Sequence, residues 1–218
     1  MLVRHGESVV TTQRVVGGPR TCTGLSELGR RQVQALAERL ARTDELSVDA
    51  LFSSAYPRAV ETAEALRGVL GRPVQIEPGF GEHDPGPICD GLTFDEFVER
   101  YGVPNWEGDP HGETFPGGGE TLAEFQHRVG ATVHRILARH AGGTVLVACH
   151  GGVIDAVLRS ALHAPAAGSF ELHTANASLT ELVRIRPGRW RIVRYNDGAH
   201  LAHITAETPL AGEEQRAR

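Results

Sequence analysis

Two short apolar stretches, near opposite ends of the chain, each run into a His-Gly pair. Leu2 and Val3 lead into Arg4-His5-Gly6-Glu7, and residues 145–148 lead into Cys149-His150-Gly151-Gly152. The second stretch has no polar residue, as is typical of a parallel strand that is buried on both faces. The carboxyl ends of parallel strands meet at one edge of a sheet, where open α/β folds bind their ligands. The pattern therefore predicts one sheet that brings two imidazoles together.

The segments between these stretches carry helix signals. Ser26 is a typical N-cap, Pro57 suits the first position of a helix, and Thr121 with Glu124 forms a capping box. Apolar residues recur at helical spacing after Ser26 (Val33, Leu36, Ala37, Leu40) and after Thr121 (Leu122, Phe125, Val129, Val133, Ile136). Strands that alternate with helices predict an α/β fold. We expect a three-layer α/β/α sandwich with a central, mostly parallel sheet and helices on both faces.

The length of 218 residues fits one domain of generous size. Because the two His-Gly pairs should share one sheet, we expect a single domain over residues 1–204. Residues 78–119 are rich in proline and glycine and show little periodicity, so they are expected to form an irregular lid. Residues 205–218 are polar and acidic, which predicts a flexible tail. Only three residues precede Arg4, so the first strand is either short or begins upstream of Met1.

Composition argues against several kinds of partner. The net charge of −5 gives no general attraction for nucleic acids or anionic membranes, and no apolar run is long enough to span a bilayer. Any anion site must be a local concentration of positive charge. Cys22, Cys89 and Cys149 are odd in number and widely spaced, which argues against a disulfide framework and favours the cytoplasm. Among the eleven histidines, His83, His111 and His127 do not show the tight pairs typical of zinc ligands, and we expect no metal and no other cofactor.

Two further segments, together with the two His-Gly motifs, form an ordered set of four motifs. Ser53-Ser54-Ala55-Tyr56-Pro57-Arg58 follows a short apolar stretch, and Phe80-Gly81-Glu82-His83-Asp84 opens the proline-rich region. With Arg4-His5-Gly6 and His150-Gly151 in this order, the chain resembles the histidine phosphatase superfamily, in its phosphoglycerate-mutase-like branch, from about residue 2 to about residue 200. It is most similar to the broad-specificity phosphatase members. The resemblance implies the fold predicted above and a phosphoryl-transfer site at the carboxyl edge of the sheet.

The resemblance also implies a role for each of these residues. His5 is the expected nucleophile, because a neutral imidazole can carry a phosphoryl group covalently. Arg58 is expected in the first turn of a helix, where backbone N–H groups also favour an anion. Glu82 is the expected general acid that protonates the leaving oxygen, with His83 and Asp84 as alternatives. The phosphate-binding residues that the resemblance implies are Arg4, Arg58, His150 and Gly151.

One position departs from the family pattern. Members commonly carry an asparagine six residues after the nucleophile, where it contacts phosphate, and this chain has Thr11 there. A hydroxyl can still donate one hydrogen bond, so Thr11 stays a phosphate-binding candidate, with Gln13 or Arg14 as substitutes. Gly17 falls where the family often has a substrate loop. Residues 117–121 resemble the Gly-Gly-Glu-Thr helix start of phosphatase members, and they are not a P-loop because no Gly-Lys follows.

Three functions are compatible with these residues. The first is a metal-independent phosphomonoesterase that acts on a small phosphorylated metabolite through a phosphohistidine on His5. The second is a phosphoglycerate-type phosphomutase, which is disfavoured because no Lys or Arg lies between residues 83 and 99 to hold a second phosphate. The third is an inactive phosphate-binding homologue, for which Thr11 is the only support. The expected partner is a small-molecule substrate, selected by lid residues that include Trp106 and Phe115, and a homodimer is left open.

Overall fold

The chain folds around one six-stranded sheet. The computed structural model describes residues 1–103, 109, 111–168 and 170–204. The strands are β1 (Leu2–Arg4), β2 (Ala50–Ser53), β3 (Val74–Ile76), β4 (Val145–Cys149), β5 (Leu179–Arg186) and β6 (Arg189–Asp197). The helices are α1 (Val9–Thr12), α2 (Glu27–Thr43), α3 (Pro57–Leu70), α4 (Gly86–Cys89), α5 (Phe94–Tyr101), α6 (Leu122–Arg139) and α7 (Gly151–Leu162). Single turns of 3-10 helix lie at Pro78–Phe80 and Ala199–Leu201.

The sheet is mostly parallel, as predicted. Its strand order is β3-β2-β4-β1-β5-β6, and β1, β2, β3 and β4 all run in one direction. β5 pairs antiparallel with β1, and β6 pairs antiparallel with β5 to form a hairpin at one edge. β1 and β4 are therefore central neighbours. Their register pairs Arg4 with Cys149, so both strands end at the same level of the sheet.

Alternate strand residues supply two cores on opposite faces of the sheet. Leu2, Val145 and Val147 point into a core with α6 and α7, whereas Val3 and Leu146 point into a core with α2 and α3. This alternation follows from the two-residue period of a strand. Because both faces are covered, the central strands are mostly apolar, and the three-layer α/β/α architecture is confirmed.

The helices begin at the residues that their capping signals predict. The hydroxyl of Ser26 accepts a hydrogen bond from the backbone N–H of Gly29 (3.0 Å), and α2 follows. Pro57 is the first residue of α3, where its missing N–H costs nothing. Thr121 and Glu124 form both bonds of a capping box at the start of α6. These local signals fix where each helix enters the fold.

The segment over residues 78–119 is less irregular than the sequence predicts. It contains the short helix α4 and the two-turn helix α5. Thr93 and Glu96 form a capping box at the start of α5, and Phe97 is buried against Phe115 with ring centroids 5.7 Å apart. The Thr-x-x-Glu signal was present in the sequence, but the glycines and prolines on both sides concealed it. Trp106 and the expected tail at residues 205–218 lie outside the described residues.

None of the helices in the described part of the chain is both long and apolar enough to cross a bilayer.

Candidate active site

The site lies where β1 and β4 end side by side. After β1 the chain passes to α2 on one face of the sheet, and after β4 it passes to α7 on the other face. Adjacent strands whose connections leave in opposite directions open a crevice at their carboxyl ends. His5 and His150 follow these two strands directly. Their side chains are buried, and their ring centroids are 5.1 Å apart, as the paired His-Gly motifs predict.

The hydrogen bonds of His5 define its tautomer. Its Nδ1 lies 2.6 Å from the carbonyl oxygen of Gly6, which can only accept, so Nδ1 carries the proton. Its Nε2 accepts a hydrogen bond from Nε of Arg58 at 3.1 Å. Burial, followed by the charges of Arg58 and Arg4, holds the pKa of His5 well below its usual value of 6.5. The ring is therefore neutral near pH 7 and presents the lone pair of Nε2.

His150 has the opposite tautomer. Its Nδ1 accepts a hydrogen bond from the same Nε of Arg58 at 3.2 Å, so the proton lies on Nε2. That atom donates to the hydroxyl of Ser54 at 2.7 Å. Burial first, and then the charge of Arg58, hold the pKa of His150 well below 6.5. One guanidinium N–H is thus shared between the acceptor nitrogens of two neutral imidazoles.

Arg58 reaches the crevice from the first turn of α3. Pro57 starts this helix, and the guanidinium of Arg58 lies over the ring of Tyr56, 4.7 Å from its centroid. Its Nη1 donates to the carbonyl oxygen of Gly17 at 3.3 Å, so the predicted substrate loop does lie beside the site. The N-terminus of α3 adds the positive end of a helix dipole to the charge of the guanidinium.

Arg4 and His5 both lie at the crevice. Arg4 is the last residue of β1, and His5 follows it outside the strand, although its N–H still donates to the carbonyl oxygen of Cys149 at 2.9 Å. Nδ2 of Asn176 donates to the carbonyl oxygen of His5 at 3.0 Å, and the N–H of Ala177 donates to that of Arg4 at 2.9 Å. The guanidinium of Arg4 binds the carbonyl oxygen of Thr174.

The Nε of Arg4 is a free donor at the start of α7. It is buried, and it has no hydrogen-bond partner among the described residues. It lies 3.5 Å from the position that a Cβ on Gly151 would take. Burial lowers the pKa of Arg4, and the charge of Glu82 opposes this shift. A buried N–H without a partner is costly, so this atom is ready to donate to an anion in the crevice.

Glu82 is held against the N-terminus of α7. One carboxylate oxygen, Oε2, accepts from the N–H of Gly152 at 3.1 Å, and Oε1 accepts from the N–H of His83 at 3.0 Å. A Cβ on Gly152 would overlap Oε1, so only glycine allows this approach. The carboxylate therefore lies one residue away from Gly151, on the same helix terminus that Arg4 contacts.

Thr11 has a different environment from the residues above. It is exposed in α1, and its hydroxyl lies 2.8 Å from that of buried Ser8. No hydrogen bond joins it to Arg4, His5, Arg58 or His150 within the described part of the chain. Arg14, a proposed substitute, is exposed and points to Asp95 at 3.4 Å. The expectation that Thr11 contacts phosphate stays a prediction.

Several residues that build the site were not singled out in the sequence. Ser54 lies within a motif that was recognised, but its bond to His150 crosses 96 residues of the chain. Asn176 lies just before β5 and supports His5 across 171 residues. Arg128, on α6, donates to the backbone carbonyl oxygen of Glu82 at 3.2 Å and carries no local signal. Over the described residues, no group of three or more His, Cys, Asp or Glu side chains could hold a metal ion.

Comparisons with known proteins agree with this geometry. The model of the histidine phosphatase superfamily (branch 1) matches residues 1–198. A metal-independent phosphoserine phosphatase of Arabidopsis thaliana is 31% identical over 213 residues, which cover 94% of this chain and 83% of the relative. A bifunctional protein of Mycobacterium tuberculosis is 36% identical over 180 residues, which cover 83% of this chain. That match covers 48% of the mycobacterial protein, so the chain spans about half the length of this relative.

The chain is also similar to a solved structure of a phosphatase. A mycobacterial glucosyl-3-phosphoglycerate phosphatase superposes with a TM-score of 0.74 and 27% sequence identity, over 89% of this chain and 97% of that chain. The family match covers β1 to β6 and every residue of the crevice described above. The chain therefore belongs to branch 1 of the histidine phosphatase superfamily.

Proposed function

We propose that the chain is a metal-independent phosphomonoesterase that forms a phosphohistidine on Nε2 of His5. The observation that carries this proposal is the tautomer of His5. Its proton is held on Nδ1 by Gly6, so the lone pair of Nε2 faces the cationic crevice. Phosphoryl transfer depends mainly on positioning and on offsetting charge. Arg58, whose Nε donates to this nitrogen, and Arg4, whose Nε has no partner among the described residues, supply the donors.

The two steps balance with Glu82 as the proton carrier. In the first, Nε2 of His5 forms a bond to phosphorus while the ester P–O bond breaks, and Glu82 gives its proton to the leaving oxygen. In the second, water attacks phosphorus and the P–N bond breaks. Glu82 takes the proton of that water, and phosphate and free His5 are released. The hydrogen bonds from Gly152 and His83 hold the carboxyl at the crevice for both steps.

Hydrolysis is favoured over mutase chemistry by the segment after Glu82. A mutase must hold its dephosphorylated intermediate and exclude water until the phosphoryl group returns. That needs cations for a second anionic group, and residues 83–99 contain no Lys or Arg. Phosphatases among the relatives, including the phosphoserine phosphatase from Arabidopsis, support the same choice.

The substrate is proposed to be a small phosphorylated metabolite. The relatives named above act on phosphoserine and on glucosyl-3-phosphoglycerate, and both compounds are small phosphomonoesters that carry a carboxylate. We also propose a cytoplasmic location, which is supported by three buried cysteines that are all free.

The test is to trap the phosphoenzyme. Rapid quenching with a labelled phosphomonoester should give an acid-labile phosphate in the wild-type chain. His5→Ala should abolish both label and turnover, while the exposed His134→Ala should keep both. A generic phosphatase assay also separates the enzyme from an inactive phosphate-binding homologue. Label on another residue, or near-normal turnover in His5→Ala, would overturn the mechanism.

The mutase alternative has its own experiment. The chain is incubated with 3-phosphoglycerate, with and without 2,3-bisphosphoglycerate, while free phosphate and 2-phosphoglycerate are followed. We expect no bisphosphoglycerate-stimulated isomerisation. Formation of 2-phosphoglycerate that outpaces phosphate release would show a mutase instead.

A further inference from the structure

Arg128 makes a dense set of hydrogen bonds beside the crevice. It lies in the second turn of α6, and its guanidinium faces the loop that carries Glu82. Its Nη1 donates to the carbonyl oxygens of Gly79 at 3.0 Å and Gly81 at 3.1 Å, and Nη2 donates to that of Glu82 at 3.2 Å. Three carbonyl oxygens within four residues of chain thus converge on one side chain.

Glu120 completes this arrangement from the other side. Its carboxylate binds Arg128 in a two-pronged ion pair, with Nε to Oε1 and Nη2 to Oε2 both at 2.6 Å. Such bidentate pairs are among the strongest and most directional hydrogen bonds in proteins. Hydrogen bonds to Glu120 raise the pKa of Arg128, although burial opposes this. The cation is therefore permanent.

The same glutamate also holds the residues that follow Glu82. Its Oε2 accepts from the N–H of Asp84 at 3.0 Å, and its own N–H donates to the carbonyl oxygen of Asp84 at 3.0 Å. Its carbonyl oxygen lies 2.8 Å from Nε2 of His83. The chain on both sides of Glu82 is thus tied to a single ion pair, and that pair contacts neither carboxylate oxygen of Glu82.

We infer that Arg128, paired with Glu120, is a positioning residue that holds the carboxyl of Glu82 in place for proton transfer. The inference rests on the proposed function, in which Glu82 is the general acid. It also gives a role to the Gly-Gly-Glu-Thr segment at residues 118–121, whose glutamate is the partner of Arg128. The backbone of residues 79–84 is loop apart from a single 3-10 turn, so bonds from other parts of the chain help to set its position. A displacement of about 1 Å in a catalytic group can cost about 10²-fold in rate.

The experiment compares two substrates that differ in their need for an acid. p-Nitrophenyl phosphate releases a stable phenolate without a proton, whereas an alkyl phosphate such as O-phosphoserine needs one. Arg128→Gln should lower kcat for the alkyl phosphate by about 10- to 100-fold, and for p-nitrophenyl phosphate by less than about 3-fold. Arg128→Lys keeps the charge but not the bidentate geometry, so it should fall between wild type and Arg128→Gln.

A matched control is available on the same helix. Exposed Arg135 forms an ion pair with Glu77 at 2.7 Å, just before the loop that carries Glu82. Arg135→Gln removes one cation of α6 and one bond to the same segment, so it should leave the ratio of the two rates unchanged. Thermal unfolding of each variant shows whether it folds. If Arg128→Gln does not fold, Arg128→Lys decides by the same ratio of rates.

A double variant distinguishes a failure of this inference from a failure of the proposed function. In the Glu82→Gln background, Arg128→Gln should cause no further loss on the alkyl phosphate, because the proton it helps to place is gone. If Glu82→Gln alone slows both substrates equally, the acid assignment is wrong. Two results would contradict the inference if Glu82→Gln slows the alkyl phosphate more than p-nitrophenyl phosphate. In the first, Arg128→Gln slows both substrates equally; in the second, its full loss adds to that of Glu82→Gln. Either result would show that Arg128 has only a structural role.

Discussion

Nε of Arg58 lies 3.1 Å from Nε2 of His5, so a guanidinium N–H covers the lone pair that would attack phosphorus. The same N–H is shared with Nδ1 of His150 at 3.2 Å. Hydrogen bonds from a cation to phosphate oxygens are stronger than those to a neutral imidazole. An arriving phosphate should therefore draw the guanidinium onto its oxygens and uncover His5. The contact with Arg58 thus holds the imidazole of His5 neutral and oriented.

The first prediction follows from this contact. Arg58→Ala should lower kcat/KM by at least about 10-fold and weaken inhibition by inorganic phosphate to a similar degree, because a hydrogen bond to a charged group contributes about 1.5–3 kcal/mol. Steady-state kinetics with phosphate as competitor measure both effects. The control is Arg67→Ala on the same helix, which removes an exposed ion pair with Glu64 and should change neither value. Unchanged phosphate inhibition in Arg58→Ala would mean that Arg58 does not bind the phosphoryl group.

The second prediction concerns Gly152, the glycine that contacts the carboxylate of Glu82, the proposed general acid. Gly152→Ala adds a Cβ that overlaps Oε1 of Glu82, and the flexible carboxylate can move away at little cost to stability. We expect a loss of alkyl phosphatase activity of about 10-fold or more, with a smaller loss on p-nitrophenyl phosphate. Gly130→Ala is the control, because a Cβ there meets nothing within 4 Å. That variant should stay fully active and gain about 0.5–1 kcal/mol in helix stability. Equal activity in the two variants would contradict the position of Glu82.

The third prediction tests the departure at Thr11. If its hydroxyl donates to phosphate, Thr11→Val should weaken substrate binding by one neutral hydrogen bond, about 0.5–1.5 kcal/mol, which raises KM by about 2- to 13-fold. Ser8→Ala serves as the comparison, since it removes the present partner of Thr11 and leaves its hydroxyl in place. Unchanged kinetic constants in Thr11→Val would show that this chain has given up the family contact.

Features that depend on neighbouring residues could be predicted from the sequence. The helix starts at Ser26 and Thr121 follow from side chains that bond within three residues, and the start at Pro57 follows from the fixed φ of proline. The meeting of His5 and His150 could also be predicted, because parallel apolar strands place their carboxyl ends at one edge. This prediction used a general property of parallel sheets and needed no knowledge of which distant residues pair. The two rings do lie 5.1 Å apart.

Features that depend on particular long-range pairs could not be predicted in this way. Ser54 bonds to Nε2 of His150, and Asn176 donates to the backbone carbonyl oxygen of His5, in each case from a distant part of the chain. In the sequence, neither Ser54 nor Asn176 differs in residue type or spacing from other polar residues. Arg128 reads as one of many arginines on the polar side of a helix, and only the folded loop brings three carbonyl oxygens to it. Local sequence therefore indicates which groups are candidates to react, whereas residues far away in the chain set the orientation of those groups.

The last prediction is that the two neutral histidines make stability depend on pH. Both have folded-state pKa values far below the unfolded value of about 6.5, so the unfolded chain binds protons that the folded chain does not. The free energy of unfolding should therefore fall as pH drops below about 6.5, by up to about 1.4 kcal/mol per pH unit for each histidine. His200, whose pKa is also lowered by burial, adds to this fall, and Asp155, whose pKa is raised by burial, opposes it. Urea unfolding between pH 6 and pH 5 measures the slope. His5→Gln and His150→Gln should each remove one histidine's share, and an unchanged slope in both variants would show that these rings are charged in the folded protein.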